Sequence, residues 1–183
     1  MEPLIEVGMA IFFAVSYLFW PVELAGGIQL TIFGLWLLAG VGLAIMFAYD
    51  SKWFLLPDSI NFAVIGIGLV SAIVTIIGST DKIGAILNVV GSIVILSGLY
   101  FILWLVSKGR WIGFGDIKLG LGLGLLLADW KLALIALFFA NLMGCIIVIP
   151  LMVTGKLKRN ARVPFGPLLI AGAVITKLVG DNC

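Results

Sequence analysis

Long apolar runs divide the chain into segments of the length that crosses a membrane. A bilayer-spanning helix needs about 20 predominantly apolar residues, with wide tolerance. Seven runs fit this description, and brief polar or glycine-containing connections separate them. The runs are Ile5–Trp20, Ile28–Tyr49, Ile60–Gly78, Ile83–Val106, Phe114–Leu127, Leu132–Val153 and Phe165–Val179. The pattern predicts an all-α integral membrane protein, a bundle of about seven transmembrane helices that forms a single domain over residues 1–183.

The fifth run, Phe114–Leu127, is shorter than the others and rich in glycine. Small residues let helix backbones approach one another closely, which favours contacts between helices. We therefore predict that this helix packs inside the bundle, away from lipid.

Composition supports the membrane assignment and limits the chemistry. The chain is 63% hydrophobic and 11% charged, whereas roughly a quarter of the residues in soluble domains are charged. A net charge of +2, spread along the chain, does not indicate nucleic-acid binding. The absence of histidine excludes a histidine-based triad, and the two distant cysteines, Cys145 and Cys183, form no recognisable zinc motif. No metal or other cofactor is expected.

The basic residues predict how the chain is oriented in the bilayer. If the runs alternate direction from an amino terminus on the inside, eight Lys and Arg fall on one side and three on the other. The eight are Lys52, Lys108, Arg110, Lys118, Lys156, Lys158, Arg159 and Arg162, and the three are Lys82, Lys131 and Lys177. The positive-inside rule places the first set in the cytoplasm. The cluster at 156–162 also suits anionic lipid headgroups.

Two acids occupy matching positions in this topology. Asp50 ends the second run and Asp116 begins the fifth, so both face the cytoplasmic side although 66 positions separate them. An ionisable residue within or at the mouth of a membrane span is a functional-site candidate by default. The alternative for Asp116 is an acid in the first turn of a helix, where the helix dipole favours negative charge.

A pair of carboxyl groups held together can perform hydrolysis. The two cannot both ionise cheaply, so one keeps its proton while the other stays charged, and the pair titrates as a unit. The charged member can activate water, and the protonated member can protonate the leaving amine. This pair is the only hydrolytic machinery that can be assembled from the sequence.

Residues around Asp116 suggest how its loop is built. Gly113 and Gly115 allow close backbone approach and turns that other residues cannot adopt. Lys118 either biases the charge state of Asp116 or extends toward the membrane interface. On the other side of the pair, Asp58 follows Leu56-Pro57 and is predicted to cap the third helix.

Four motifs in this order resemble the type IV prepilin peptidases, which are membrane aspartic peptidases of the GxGD class. The motifs are Tyr49-Asp50, Leu56-Pro57-Asp58, Gly113-Phe114-Gly115-Asp116-Ile117-Lys118-Leu119 and Val163-Pro164-Phe165-Gly166-Pro167. The resemblance implies that Asp50 and Asp116 are the catalytic pair. It also implies that the substrates are precursors of type IV pilins and of the pseudopilins of type II secretion. Their leaders would be removed at the cytoplasmic face of the inner membrane.

The sequence departs from the bifunctional members of that family. Those enzymes carry an amino-terminal cytoplasmic domain with paired CxxC motifs that is linked to methylation of the new pilin terminus. This chain contains no CxxC and begins where that domain would end. The expectation is a peptidase core, either as a peptidase-only member or as a trimmed chain, without N-methyltransferase activity.

Two alternatives share the same acids. Presenilins and signal peptide peptidases also pair Tyr-Asp with GxGD, but they carry a PAL-type motif where this chain has Pro164-Phe165-Gly166-Pro167. A small proton-coupled transporter could use Asp50 and Asp116 as relay sites, although midplane acids or an inverted repeat would be expected of it. Neither feature is visible in the sequence.

Overall fold

A computed structural model describes residues 2–24, 26–110, 112–154 and 164–180. Within these residues the chain forms seven helices and no strand. They are α1 (Glu2–Leu18), α2 (Gly27–Trp53), α3 (Asp58–Gly78), α4 (Lys82–Ser107), α5 (Phe114–Leu127), α6 (Trp130–Val153) and α7 (Gly166–Val179). Each helix coincides with one predicted apolar run, so the prediction of an all-α fold is confirmed.

Length and composition divide the helices into two groups. Four of them, α2, α3, α4 and α6, are long and apolar enough to cross a membrane, whereas α1 and α7 are shorter apolar helices. Large apolar side chains such as Ile83, Val106 and Val153 are exposed on the outside of the bundle. Soluble proteins rarely expose apolar surface on this scale. The chain is therefore a multi-pass membrane protein, and a full count of seven crossings stays a prediction.

Local backbone geometry explains where the helices near the acids begin and end. After α2, Phe54 adopts the left-handed conformation, with its N–H bonded to the Asp50 carbonyl. Pro57 then precedes the first residue of α3. At the end of α4, Lys108 and Gly109 both have positive φ and stop the helix. Asp129 caps α6 at the far end, where its carboxylate accepts a hydrogen bond from the Lys131 amide.

Helix α5 lies in the interior, as its glycine content predicted. Nearly all of its side chains beyond the first turn are buried, and it packs between α3 and α4. Gly120 makes this possible, because a Cβ at that position would lie 2.6 Å from the carbonyl oxygen of Leu96. That carbonyl belongs to a π-helical segment within α4, Val94–Gly98, which interrupts the ordinary α-helical bonding.

Side-chain contacts identify the helix ends that meet. Asp58 of α3 contacts Lys118 of α5, and the first turn of α7 contacts Asp50 of α2. The ends of α2 and α4 and the beginnings of α3, α5 and α7 therefore form one end of the bundle, which we call the aspartate end. At the opposite end, Asp81, Asp129 and Lys177 line a cavity of about 390 Å³.

The basic residues divide between the two ends as the sequence predicted. Four described ones, Lys52, Lys108, Arg110 and Lys118, belong to the aspartate end, and Lys82, Lys131 and Lys177 belong to the opposite end. The predicted basic cluster of Lys156, Lys158, Arg159 and Arg162 lies outside the described residues.

Candidate active site

Asp50 is fixed by the beginning of α7. Its side chain is buried, with 6% of its surface exposed, and its Oδ2 accepts a hydrogen bond of 3.0 Å from the Gly166 amide. Amides in the first turn of a helix have no partner within the helix and carry partial positive charge, so they favour an anion. A Cβ at Gly166 would lie 2.7 Å from the same oxygen. The glycine therefore makes room for a direct contact between backbone and carboxylate.

Asp116 belongs to the first turn of α5. Its Oδ2 accepts a hydrogen bond of 3.2 Å from the Gly113 amide, which precedes the helix. This contact satisfies an amide that the helix leaves free. Asp116 thus makes the capping contact that is expected of an acid in the first turn of a helix. This contact is compatible with a further role.

The two carboxyl groups are neighbours at the aspartate end. The charge of Asp50 acts on Asp116, although the two residues come from different helices. Leu56, in the connection between α2 and α3, packs against both Gly115 and Gly166 and so joins the two halves of the site. The prediction that folding brings these acids to the same end is confirmed, whereas their catalytic role stays a prediction.

Asn61 supports the loop before Asp116, and the sequence analysis did not identify it. The residue lies one turn into α3 with none of its surface exposed, and its Nδ2 donates a 3.3 Å hydrogen bond to the Gly115 carbonyl. Asparagine within a membrane helix often bonds to another helix. The sequence signal that could have identified Asn61 is its position one turn after Pro57-Asp58.

The prediction that Asp58 caps α3 is wrong. The capping position belongs to Pro57, and Asp58 is the first helical residue, without a side-chain cap contact. Instead its Oδ1 accepts a hydrogen bond of 2.7 Å from Lys118 Nζ and forms an ion pair with it. A cation from α5 reaches the carboxylate, and both partners of this hydrogen bond are ionised.

Lys118 therefore connects α5 to α3. Besides the ion pair, its ammonium group lies over the rings of Phe62 and Phe114, at 5.0 and 5.3 Å from their centroids. These contacts hold the first turn of α5 against α3. Gly113 and Gly115 lie within the three residues before Asp116, and Lys118 lies two residues after it. A supporting role of these three residues in catalysis stays a prediction.

Tyr100 is the second residue that the sequence analysis missed. It lies in α4 after the π-helical segment and is buried. Its ring contacts Phe165, with the ring centroids 5.2 Å apart. In the sequence it is a tyrosine within an apolar run, and no spacing rule connects it with Asp116.

An apolar groove begins beside Asp50. It has a volume of about 400 Å³ and lies between α1, α2 and α7, where Phe12, Leu43, Phe47 and Ile170 line it. Ser51, the residue after Asp50, is at its border. The groove therefore extends along α2 to the aspartate end.

Comparison with known proteins assigns the chain to a family. Residues 36–149, which contain both acids, match the type IV leader peptidase family. A prepilin leader peptidase/N-methyltransferase of Legionella pneumophila is 32% identical over 129 residues, or 70% of this chain and 44% of that protein. The protein of the same name from Aeromonas salmonicida is 30% identical over 73% of this chain and 45% of its own length.

A more distant relative with that name, from Pseudomonas aeruginosa, is 27% identical over 81% of this chain and 50% of its own length. The chain thus spans about half the length of the curated relatives it matches. No solved structure shows a significant match to it. The match over residues 36–149 covers more than half of the sequence. The chain belongs to the type IV leader peptidase family.

Proposed function

We propose that this protein is a membrane aspartic endopeptidase that removes the leader from type IV prepilins and pseudopilins, with Asp50 and Asp116 as its catalytic pair. One observation carries the proposal: two acids from separate helices of a leader peptidase family member interact at the same end of the bundle. Their surroundings exclude much of the bulk water, which strengthens the electrostatic effect of each on the other.

The chemistry requires one proton shared between the two carboxyl groups. The ionised member takes a proton from water as the water oxygen attacks the scissile carbonyl, and the protonated member gives its proton to the leaving nitrogen. The Gly166 amide holds one oxygen of Asp50, which leaves the other oxygen for water or substrate. This contact supports a fixed orientation of Asp50 during the reaction.

The substrate must present an extended peptide bond to this pair, because the bonds within a helix shield their own carbonyl groups. The Gly113–Gly115 loop offers backbone groups for such a segment beside Asp116. The apolar groove that begins at Ser51 suits an apolar segment of the substrate within the bilayer. The positive-inside distribution of Lys and Arg supports a cytoplasmic position for the aspartate end, in the inner membrane of a bacterial cell.

The proposal covers the peptidase reaction alone. The curated relatives are named for a second activity, N-methyl transfer, but this chain matches only about half of their length. The CxxC pairs that the family resemblance connects with that activity do not occur in this sequence.

The test uses purified protein in detergent and a prepilin that carries its leader, with leader release measured by mass spectrometry. We expect Asp50→Asn and Asp116→Asn each to reduce turnover by at least about 100-fold, the scale of general acid–base catalysis. The matched control is Asp81→Asn at the opposite end, where asparagine caps α4 as well as aspartate does. A folded Asp50→Asn protein that cleaves at the wild-type rate would contradict the catalytic role of Asp50, whereas a folded wild-type protein that releases no leader would favour a transporter or another use of the acids.

A further inference from the structure

Tyr100 carries a buried hydroxyl group without a hydrogen-bond partner. Only 2% of the residue is exposed, and the hydroxyl oxygen itself is closed to solvent. Buried polar groups in folded proteins nearly always have a partner, because an unpaired one loses its bonds to water and gains none. The unpaired hydroxyl of Tyr100 therefore calls for a physical explanation.

Contacts of Tyr100 and of the preceding turn of α4 determine where this side chain lies. The ring packs edge-on against Phe165, the residue before the glycine that binds Asp50. One turn earlier, the Ser97 hydroxyl donates a 3.0 Å hydrogen bond to the carbonyl of Ile117, the residue after Asp116. Ser97 belongs to the π-helical segment Val94–Gly98, and such segments occur frequently at functional sites. These contacts hold Tyr100 beside the beginning of α5.

Asp116 is the group that can satisfy the hydroxyl. It directly precedes Ile117, whose carbonyl accepts the Ser97 hydrogen bond one turn before Tyr100, and it is an acceptor whose present partner is the Gly113 amide. The tyrosine oxygen has almost no accessible surface, so bulk solvent does not supply its partner. A rotation of the Asp116 carboxyl group away from Gly113 would provide an acceptor and would free the Gly113 amide.

We propose that Tyr100 is a positioning residue of the peptidase, whose hydroxyl donates a hydrogen bond to the Asp116 carboxylate in the enzyme–substrate complex. In that complex the Gly113 amide, released by Asp116, donates to the backbone of the extended substrate. Docking of the substrate and orientation of the catalytic acid thus occur in a single exchange of hydrogen bonds. This inference rests on the proposed function.

The test compares Tyr100→Phe with Tyr17→Phe, which removes the same atom from an exposed tyrosine far from the acids. Phenylalanine keeps the ring that packs on Phe165 and removes only the hydroxyl. We expect kcat of Tyr100→Phe to fall about 10- to 100-fold, the loss that a misplaced catalytic group causes. KM should rise by less than kcat falls, because the substrate loses one backbone hydrogen bond to Gly113 whereas the reacting geometry depends on Asp116 itself. The thermal midpoint should be equal to or higher than that of wild type, because an unpaired buried group is removed.

The outcomes separate this inference from the proposed function. If wild type releases the leader and Tyr100→Phe does so at an unchanged kcat, Tyr100 has no positioning role and the proposed function stands. A loss of kcat together with a lowered thermal midpoint would assign Tyr100 to packing and would also overturn the inference. If folded wild type releases no leader from any prepilin offered, the proposed function fails, and the inference fails with it.

Discussion

The Gly166 amide donates a 3.0 Å hydrogen bond to Asp50 Oδ2, although the two residues are 116 positions apart. The contact joins the end of α2 to the beginning of α7. It places a helix terminus, with its partial positive charge, against an acid that is otherwise shielded from water. The orientation of Asp50 thus depends on a backbone group, and the adjacent Pro167 gives α7 a rigid start.

A methyl group at Gly166 should disturb this contact. Its Cβ would lie 2.7 Å from Asp50 Oδ2, so in Gly166→Ala either the carboxyl group or the start of α7 must move. We expect turnover to fall about 100-fold while the protein stays folded, since small displacements of catalytic groups have effects of that size. The control is Gly34→Ala in α2, where an added Cβ meets no atom within 4 Å. Equal activity of the two variants in a leader-release assay would contradict the prediction.

Replacement of Asp58 by asparagine should have little effect on the reaction. Its partner Lys118 lies beside it in an ion pair, and the carboxylate is 64% exposed. Exposed ion pairs contribute about 0–1 kcal/mol to stability, so the unfolding free energy of Asp58→Asn should change by no more than that. Leader release should stay close to the wild-type rate. An inactive but folded Asp58→Asn protein would show that Asp58 belongs with the catalytic acids.

The contact between Gly120 and the π-helical segment predicts a stability effect. An alanine Cβ at this position would lie 2.6 Å from the carbonyl oxygen of Leu96. The contact involves the backbone of a packed helix and not the end of a flexible side chain. We expect Gly120→Ala to lower the unfolding free energy in detergent by about 1–3 kcal/mol, as overpacking does. Gly66→Ala in α3 meets open space and should instead be neutral or stabilising, by up to about 1 kcal/mol. The same sign of change for both variants would contradict the close contact.

Labelling can test the orientation of the bundle. In a background without Cys145 and Cys183, single cysteines are introduced as Lys108→Cys at the aspartate end and Lys82→Cys at the opposite end. A membrane-impermeant maleimide applied to spheroplasts should label Lys82→Cys directly, and Lys108→Cys only after permeabilisation. The reverse pattern would place the aspartate end outside the cytoplasm and would remove the support for cleavage at the cytoplasmic face.

The helices could be predicted because a backbone in lipid must satisfy its own polar groups, and a helix does so within one segment. The placement of Asp50 and Asp116 at the same end followed from the alternation of those helices. The partner of Asp58 could not be predicted, since Lys118 is 60 residues away and only packing of α3 on α5 brings them together. The sequence offered only the local rule that an acid at a helix start caps the helix. In the folded protein Asp58 forms an ion pair with Lys118 instead.

Asn61 and Tyr100 were missed for a related reason. Each is a polar residue in an apolar run, and their neighbours in sequence do not distinguish them from residues that serve packing alone. Their significance comes from the carbonyl of Gly115, which Asn61 binds, and from the ring of Phe165, which packs on Tyr100, and both contacts exist only in the folded bundle. The π-helical segment that precedes Tyr100 is likewise a product of packing, because it lies where Leu96 meets Gly120.

The short lengths of α5 and α7 have a consequence for the bilayer around the protein. A helix of 14 residues is about 21 Å long, whereas the hydrocarbon layer is about 30 Å thick. If the far ends of these helices lie at one interface, their beginnings, with Asp116 and Gly166, lie below the other by several ångströms. The longer helices around them then enclose a depression above the acids, which water can fill. The short helices would thus supply water to a reaction below the level of the membrane surface.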